Sequence, residues 1–139
     1  MHSNIRTKYI MKDFKYALTI KEAEPEDVYN TLTNPFAIEL WSGYPAIMKL
    51  EKNFEFSLWE GDITGKILDF EKDSKLVQEW YFGDNKEASV ATINIFPKKG
   101  NKTYIVLNHT NIPDKDFNNI AEGWTDFYLG AIKKFFEEQ

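Results

Sequence analysis

The chain has 139 residues, of which 42% are hydrophobic and 16% aromatic, so it is long enough to bury a substantial core and matches one domain, residues 1–139, rather than two. Its formal net charge of -5 argues against a nucleic-acid partner, because affinity for phosphates rests on clustered Lys and Arg. The absence of cysteine excludes disulfides, thiolate nucleophiles and thiolate metal sites, and it is typical of a reducing compartment.

The first twelve residues lack the continuous apolar segment of a secretory signal. No stretch approaches the roughly 18 to 20 apolar residues that a membrane span needs. We therefore predict a soluble, cytoplasmic protein with no membrane partner. Met11 comes just before the first strand pattern, which makes residues 1–12 a candidate for a loose N-terminal arm.

Alternating apolar residues predict a first strand with one buried face. They are Phe14, Tyr16, Leu18 and Ile20. Residues 24–27 then predict a helix start, because Pro25 suits an early helical position and carboxylates are favoured at the positive end of the helix dipole. Asn34 and Pro35 end this helix, and residues 36–41 allow a second short helix before a turn at residues 42–45.

From Ala46 the chain shows short strands separated by turn residues at intervals of about ten, which predicts an antiparallel meander. The six predicted strands are residues 47–50, 54–59, 63–70, 76–82, 88–96 and 103–110.

A long C-terminal helix is predicted over residues 116–136, because apolar residues recur there at spacings of three and four. They are Phe117, Ile120, Ala121, Trp124, Phe127, Tyr128, Ala131, Ile132 and Phe135. The expected cover for this stripe is the concave face of the sheet. The predicted class is therefore α+β, with a curved antiparallel sheet of about seven strands around a long C-terminal helix and two short helices between strands 1 and 2.

Several short motifs occur in this order along the chain. They are residues 28–35 (VYNTLTNP), Trp41, residues 61–67 (GDITGKI), residues 79–80 (EW), residues 107–110 (LNHT) and residues 122–124 (EGW). From about Phe14 to the end, the chain resembles the activator of heat-shock-protein ATPase homologue family in its stand-alone bacterial form, within the START-like (SRPBCC) helix-grip superfamily.

This resemblance implies the helix-grip fold more firmly than ATPase activation. In the eukaryotic co-chaperone of that family the domain is the C-terminal half, and a separate N-terminal domain carries much of the chaperone contact. We expect that other half to be missing here. Bacterial members of the family resemble small ligand-holding proteins, and a heat-shock chaperone stays open as an alternative partner.

The four Trp residues fall in four different predicted elements that the fold would bring around one space. Such a set is typical either of a plain core or of an apolar pocket with a few polar anchors. The candidate ligand-binding residues are Trp41, Tyr44, Phe56, Trp59, Trp80, Asn108, Trp124, Phe127 and Tyr128. Their expected partner is a small lipophilic or aromatic molecule.

Gly123 and Gly130 interrupt the C-terminal helix, where each costs about 1 kcal/mol relative to Ala. Two explanations stay open. Their backbone packs closely against the sheet, or they leave volume for a ligand beside Trp124 and Phe127.

No other chemistry is clearly indicated. His109 is expected to hold the connection from the last strand to the helix by hydrogen bonding, and His2 is too remote to form a metal pair with it. Paired carboxylates at Glu60, Asp62 and Glu79 leave a cyclase- or hydratase-type enzyme open as a further alternative. We predict no catalytic residue, no metal and no cofactor, and a non-enzymatic binding protein as the first hypothesis.

Overall fold

An antiparallel sheet of six strands, in the order β1-β6-β5-β4-β3-β2, is present in the computed structural model, which describes residues 10–83 and 87–138. The strands are β1 (Met11–Lys21), β2 (Glu55–Leu58), β3 (Ile63–Glu71), β4 (Lys75–Trp80), β5 (Ser89–Lys98) and β6 (Lys102–Pro113). β2 to β6 form the predicted meander, and β1 pairs with β6, so the first and last strands are neighbours.

The sheet has six strands in the described chain rather than about seven, because the strand predicted at residues 47–50 is wrong. Only Ile47 pairs there, in a single bridge to Ser57. A turn follows at once, closed by the Phe54 N–H donating to the Glu51 carbonyl. At the N-terminus, Met11 and Lys12 belong to β1 and pair with Pro113 and Ile112, so the predicted arm does not include them. Residues 1–9 lie outside the described residues.

Two short helices connect the opposite edges of the sheet, as predicted. They are α1 (Pro25–Thr33) and α2 (Pro35–Ser42). The Glu24 backbone N–H donates to the Asp27 carboxylate at 2.9 Å, which fixes the start of α1. The Asn34 side-chain oxygen accepts from the N–H groups of Phe36 and Ala37 and caps α2.

The predicted C-terminal helix is present, but it contains a π-helical turn. Its parts are α3 (Phe117–Glu122), the π-turn (Gly123–Tyr128) and α4 (Leu129–Glu137). A π-turn holds more residues than an α-turn and therefore shifts the phase of the buried face. Trp124, Tyr128 and Leu129 are buried, whereas Phe127 is 62% exposed. The prediction that Phe127 belongs to the buried stripe is wrong, because it assumed an unbroken period of 3.6.

Glycine occurs at positions 123 and 130 for different reasons, and at neither position does the helix backbone pack closely against the sheet. A Cβ at Gly130 would overlap the carbonyl oxygen of Thr125, five residues earlier across the π-turn. A Cβ at Gly123 would meet nothing within 4 Å, and Gly123 has ordinary helical angles of φ -58° and ψ -46°. Gly130 is therefore required by the π-turn, and Gly123 is not required by its surroundings.

Alanine substitutions at these two glycines should have opposite effects. Gly130→Ala should lower the free energy of unfolding by about 2 kcal/mol, because the added methyl group cannot be accommodated without distorting the turn. Gly123→Ala should raise it by about 0.5 to 1 kcal/mol, because it removes only the conformational freedom of glycine. Urea unfolding of the two variants measures both values, and equal effects would contradict the π-turn.

The interior lies between the C-terminal helix and one face of the sheet. On β4 this face carries Leu76, Gln78 and Trp80, and on β6 it carries Ile105, Leu107 and His109; all six side chains are 5% exposed or less. Trp124, Tyr128, Leu129 and Ile132 cover them from the helix. No helix in the described part of the chain is long and apolar enough to cross a bilayer.

Candidate functional site

Five aromatic side chains from four parts of the chain meet in the interior and form what we call the aromatic cluster: Trp41, Trp59, Trp80, Trp124 and Tyr128. Tyr128 lies at its centre. Its ring centroid lies 4.5 Å from that of Trp124, 5.2 Å from Trp41, 5.5 Å from Trp59 and 6.3 Å from Trp80. Trp124 and Tyr128 are four residues apart on the C-terminal helix and share its buried face.

The aromatic cluster has an inner and an outer half. Trp80 and Trp124 stack at 4.7 Å and are 5% and 1% exposed. Trp41 and Trp59, in contrast, are only partly buried and meet edge to face at 5.6 Å. The Trp41 indole N–H donates to the Thr31 carbonyl at 2.8 Å, which anchors Trp41 to α1.

A chain of hydrogen bonds joins the C-terminal helix to β5 and β6 through His109. The Trp124 indole N–H donates to His109 Nδ1 at 2.9 Å, and the Ser89 hydroxyl lies 2.9 Å from His109 Nε2. Because an indole can only donate, Nδ1 carries the lone pair and Nε2 carries the proton. Nε2 then donates to Ser89 Oγ, whose hydroxyl donates to the Thr110 carbonyl at 3.0 Å. Each of these polar groups is satisfied only when the imidazole is neutral.

Burial supports the same protonation state. His109 is fully buried, and this burial lowers the pKa of its imidazole from 6.5 to about 4, although Asp13 acts weakly in the opposite direction. The imidazole is therefore neutral near pH 7. With both ring nitrogens engaged, His109 has no free position to act as a general base, and it holds Trp124 in place.

Two polar groups beside the aromatic cluster have no hydrogen-bond partner among the residues that the structure describes. They are the Tyr128 hydroxyl and the Nε2 amide nitrogen of Gln78, both fully buried. Burial raises the pKa of Tyr128 well above its ordinary value, and the adjacent Gln78 side chain offsets part of this rise without forming a hydrogen bond of standard geometry. The other end of the Gln78 amide accepts from the Trp80 indole at 3.0 Å, which fixes the orientation of the amide.

The segment that carries Trp59 is conformationally strained. Trp59, Glu60 and Gly61 have consecutive positive φ values of 49°, 53° and 98°. For the two residues with a Cβ this costs about 1 kcal/mol or more each. The Trp59 ring carried by this segment lies against Tyr128 and Trp41 at the outer side of the cluster.

The structure brings some of the predicted ligand-binding residues together and separates others. The five residues of the aromatic cluster meet, and Phe56 is buried in the same core. Tyr44 and Phe127 are 46% and 62% exposed and do not take part in the ring contacts of the cluster. Asn108 lies on the opposite face of β6 from His109, because successive side chains of a strand alternate. It cannot anchor a molecule in this interior.

The carboxylates considered for catalysis do not assemble into a site. Glu60 and Asp62 are exposed in the connection between β2 and β3, and Glu79 lies on the face of β4 opposite to Gln78 and Trp80. No group of three His, Asp or Glu residues that could hold a metal ion occurs within residues 10–83 and 87–138.

Sequence reasoning missed Gln78 and Ser89. A signal for Gln78 was present, since it alternates in phase with Leu76 and Trp80 and therefore had to be a buried polar residue. Ser89 could not be found in this way, because its role depends on the pairing of β5 with β6, which brings it beside His109 and Thr110.

Residues 22–137 match the family model described as Activator of Hsp90 ATPase homolog 1-like protein. The human Activator of 90 kDa heat shock protein ATPase homolog 1 is 25% identical over 123 residues, which cover 86% of this chain and 36% of that protein. The chain thus spans about a third of the length of the curated relatives it matches.

Solved structures agree with this relationship. The crystal structure of an HSP90 activator from Plasmodium falciparum superposes with a TM-score of 0.79 at 28% identity, covering 89% of this chain and 94% of that one. The solution structure of the Aha1 dimer from Colwellia psychrerythraea has a TM-score of 0.78 at 15% identity, covering 91% and 97%. At 15% identity, the similarity to the Colwellia structure shows a shared fold and nothing more.

Proposed function

The chain belongs to the Activator of Hsp90 ATPase homolog 1-like family, and from this premise we propose that it is a non-enzymatic binding protein whose aromatic cluster holds a small lipophilic or aromatic molecule. The observation that supports this most directly is the unpartnered pair formed by Gln78 Nε2 and the Tyr128 hydroxyl. A buried polar group without a partner costs about 1 to 3 kcal/mol, and a ligand oxygen between the two would relieve that cost.

The surroundings favour a neutral ligand. The buried polar side chains of the described chain are Thr31, Gln78, Ser89, Thr103 and His109, and none of them is charged. A carboxylate or an ammonium group would lose its hydration there without gaining a counter-ion. The expected ligand is therefore flat and apolar with one neutral acceptor, such as a ketone or an amide.

The ligand needs both apolar contact and this acceptor. Burying about 200 Å² of apolar surface at roughly 25 cal/mol/Å² yields about 5 kcal/mol, which corresponds to a dissociation constant of about 0.2 mM. One added hydrogen bond of about 1.4 kcal/mol brings the constant to about 20 μM.

Trp59 is the side chain proposed to move when the ligand enters. It lies at the partly exposed side of the aromatic cluster, and its backbone is the strained part of the site. Displacing its ring from Tyr128 would open a path towards Gln78. Trp80 and Trp124, which stack and are hydrogen-bonded, would stay in place.

Tyr128→Phe should separate ligand binding from stability. Prodan, a neutral naphthyl ketone whose fluorescence reports a dry environment, should bind the wild type with a constant of about 20 μM and the variant about tenfold more weakly. The same variant should keep or raise the free energy of unfolding, because it removes a buried hydroxyl that has no partner. Fluorescence titration and urea unfolding measure the two quantities.

Two controls test whether Prodan binding depends on Tyr128 and on the neutral charge of the ligand. Phe127→Ala alters the neighbouring, exposed ring and should leave Prodan binding unchanged. The carboxylate 2-naphthoate has the same flat ring system and should not bind, because its charge would be buried without a counter-ion. Equal Prodan affinity in wild type and Tyr128→Phe would reject the proposed anchor.

A chaperone partner is the second candidate. It is supported by the human and Plasmodium relatives, which are described as activators of the 90 kDa heat-shock protein. It is also supported by two exposed apolar side chains one turn apart on α2, Phe36 and Leu40, which are 80% and 73% exposed. A pull-down of the host's own 90 kDa heat-shock protein should then succeed with the wild type and fail with the double variant Phe36→Ser, Leu40→Ser. An absence of binding by the wild type, together with unchanged chaperone ATPase turnover, would remove this candidate.

A further inference from the structure

Three lysines lie side by side on the outer face of the sheet, the face turned away from the C-terminal helix. Lys21 of β1 pairs with Lys102 of β6, and Lys102 pairs in turn with Lys98 of β5. Residues that pair across antiparallel strands place their side chains on the same face. The adjacent residues Ile20 and Thr103 are buried on the inner side, so the three lysine side chains point outward. This lysine row, as we call it, is separate from the aromatic cluster.

The lysine row is electrostatically unfavourable within the protein itself, because like charges directly opposite on neighbouring strands are destabilising. No ion pair among the described residues involves Lys21, Lys98 or Lys102, whereas five other lysines form ion pairs with carboxylates. Two carboxylates lie near Lys21: Glu22 follows it in the chain, and Glu137 accepts from its backbone N–H at 2.7 Å. The uncompensated positive charge is therefore centred on Lys98 and Lys102.

Protection of a sheet edge does not explain the lysine row. Lysine on an edge strand discourages pairing with other chains, and this explanation fits Lys21 in β1. However, β5 and β6 are interior strands of the sheet. Lys98 and Lys102 therefore have no edge to protect, and Lys99, in the turn between them, adds a further positive charge.

An exposed aromatic pair lies beside the lysine row. Phe96 and Tyr104 face each other across β5 and β6, two residues along the strands from Lys98 and Lys102, and are 47% and 36% exposed. The Lys98 side chain extends over the Tyr104 ring, with Nζ 5.5 Å from the ring centroid, and donates to Thr19 Oγ1 at 3.1 Å. An ammonium group has three N–H donors, so Lys98 can bond to a partner while it keeps this contact.

We propose that the lysine row and the aromatic pair bind a short acidic segment of another protein, with two or more carboxylates and one aromatic side chain. The carboxylates accept from Lys98 and Lys102, and the aromatic side chain packs on Phe96 and Tyr104. Neighbouring strands are about 4.8 Å apart, so the row spans about 10 Å. An extended segment of three to five residues covers this distance at about 3.3 Å per residue.

The charge distribution of the chain favours a short segment over an extended anionic surface. The net charge is -5, so the surface outside the lysine row is predominantly acidic. A lipid bilayer would meet this acidic surface together with the row. Charges more than about 8 Å apart are largely screened at physiological ionic strength, so a segment confined to the row meets chiefly its lysines.

NMR titration of the isotope-labelled full chain with the pentapeptide Glu-Glu-Trp-Glu-Glu at low ionic strength tests the proposal. The amide signals of residues 96–104 should shift, with a dissociation constant below about 1 mM. The double variant Lys98→Gln, Lys102→Gln should weaken binding about tenfold. It should also unfold at no lower urea concentration than the wild type, because it removes a like-charge contact. Prodan binding should be unchanged in it, which separates this proposal from that for the aromatic cluster.

The double variant Lys66→Gln, Lys115→Gln is the matched control, because it removes the same charge from outside the lysine row. It should bind the pentapeptide like the wild type, and Gln-Gln-Trp-Gln-Gln should not bind. The proposal is overturned if the pentapeptide shifts no signals of residues 96–104, or if the control variant loses as much affinity as Lys98→Gln, Lys102→Gln. Binding of phosphatidylserine vesicles without binding of the pentapeptide would also overturn it, in favour of a membrane.

Discussion

Trp124→Ala is expected to lower the free energy of unfolding by about 4 kcal/mol, which is at the upper end for a core substitution. Trp124 is 1% exposed, stacks on Trp80 at 4.7 Å and contacts Tyr128 at 4.5 Å. Its removal leaves a cavity at the centre of the aromatic cluster and deprives His109 Nδ1 of its donor. Urea unfolding followed by circular dichroism measures the loss.

The neighbouring ring provides the control for this prediction. Phe127→Ala removes an aromatic side chain three residues later in the same helix, but from a position that is 62% exposed. It should cost less than about 0.5 kcal/mol. An unbroken α-helix would bury Phe127 with Trp124, so comparable losses in the two variants would contradict both the π-turn and the interior built on it.

Acidification is expected to destabilise the protein through His109 before most carboxylates titrate. The pKa of this imidazole falls from 6.5 in the unfolded chain to about 4 in the folded one, so the unfolded state binds the proton more readily. The stabilisation is complete above pH 6.5 and is lost as the pH falls towards 4. The loss amounts to about 3 kcal/mol by linkage, because each unit of pKa corresponds to about 1.36 kcal/mol.

His109→Asn isolates this effect. The amide oxygen of Asn can still accept from the Trp124 indole, but Asn does not titrate. The variant should be less stable than the wild type at pH 7, and the difference should shrink as the pH falls to 4. Parallel stability curves would assign the acid sensitivity to other groups. An NMR titration in which the His109 imidazole protonates near pH 6.5 would contradict the buried hydrogen-bond chain as well.

The order and type of the elements could be predicted from the sequence because both depend on local periodicity. The alternation in β1, the Pro25 and Asn34 signals and the spacing of three and four at the C-terminus all correspond to elements in the structure. The prediction at residues 47–50 failed because a short apolar run carries no information about whether a partner strand is in reach. Only Ile47 finds one.

The candidate site was predicted only in part, for two physical reasons. A π-turn changes which residues of a helix face the interior, and whether one forms depends on tertiary packing rather than on local spacing. Phe127 was therefore assigned to the buried side although it is exposed. The position of Asn108, by contrast, could have been predicted from the sequence. Ile105 and Leu107 point inward, so alternation along β6 places His109 inward and Asn108 on the opposite face. The hydrogen-bond chain through Ser89 requires the registry of two strands, which spacing along one chain does not reveal.

Gly130 illustrates how the helix and the site are connected. Its lack of a Cβ permits the close approach of the Thr125 carbonyl, and that approach permits the π-turn. Within the π-turn Phe127 points outward while Tyr128 stays among the four indoles. A glycine that looks unfavourable for a helix is thus part of what builds the interior. The loss of a ligand and the loss of stability should therefore go together in Gly130→Ala, whereas they separate in Tyr128→Phe.

Native mass spectrometry of the protein purified from its own host tests the central proposal most directly. The wild type should carry an additional small neutral molecule that dissociates on denaturation, and Tyr128→Phe, purified in parallel, should carry much less of it. A wild type that shows only the mass of its own chain, in preparations where the fold is intact, would contradict the proposal that the aromatic cluster is a ligand site.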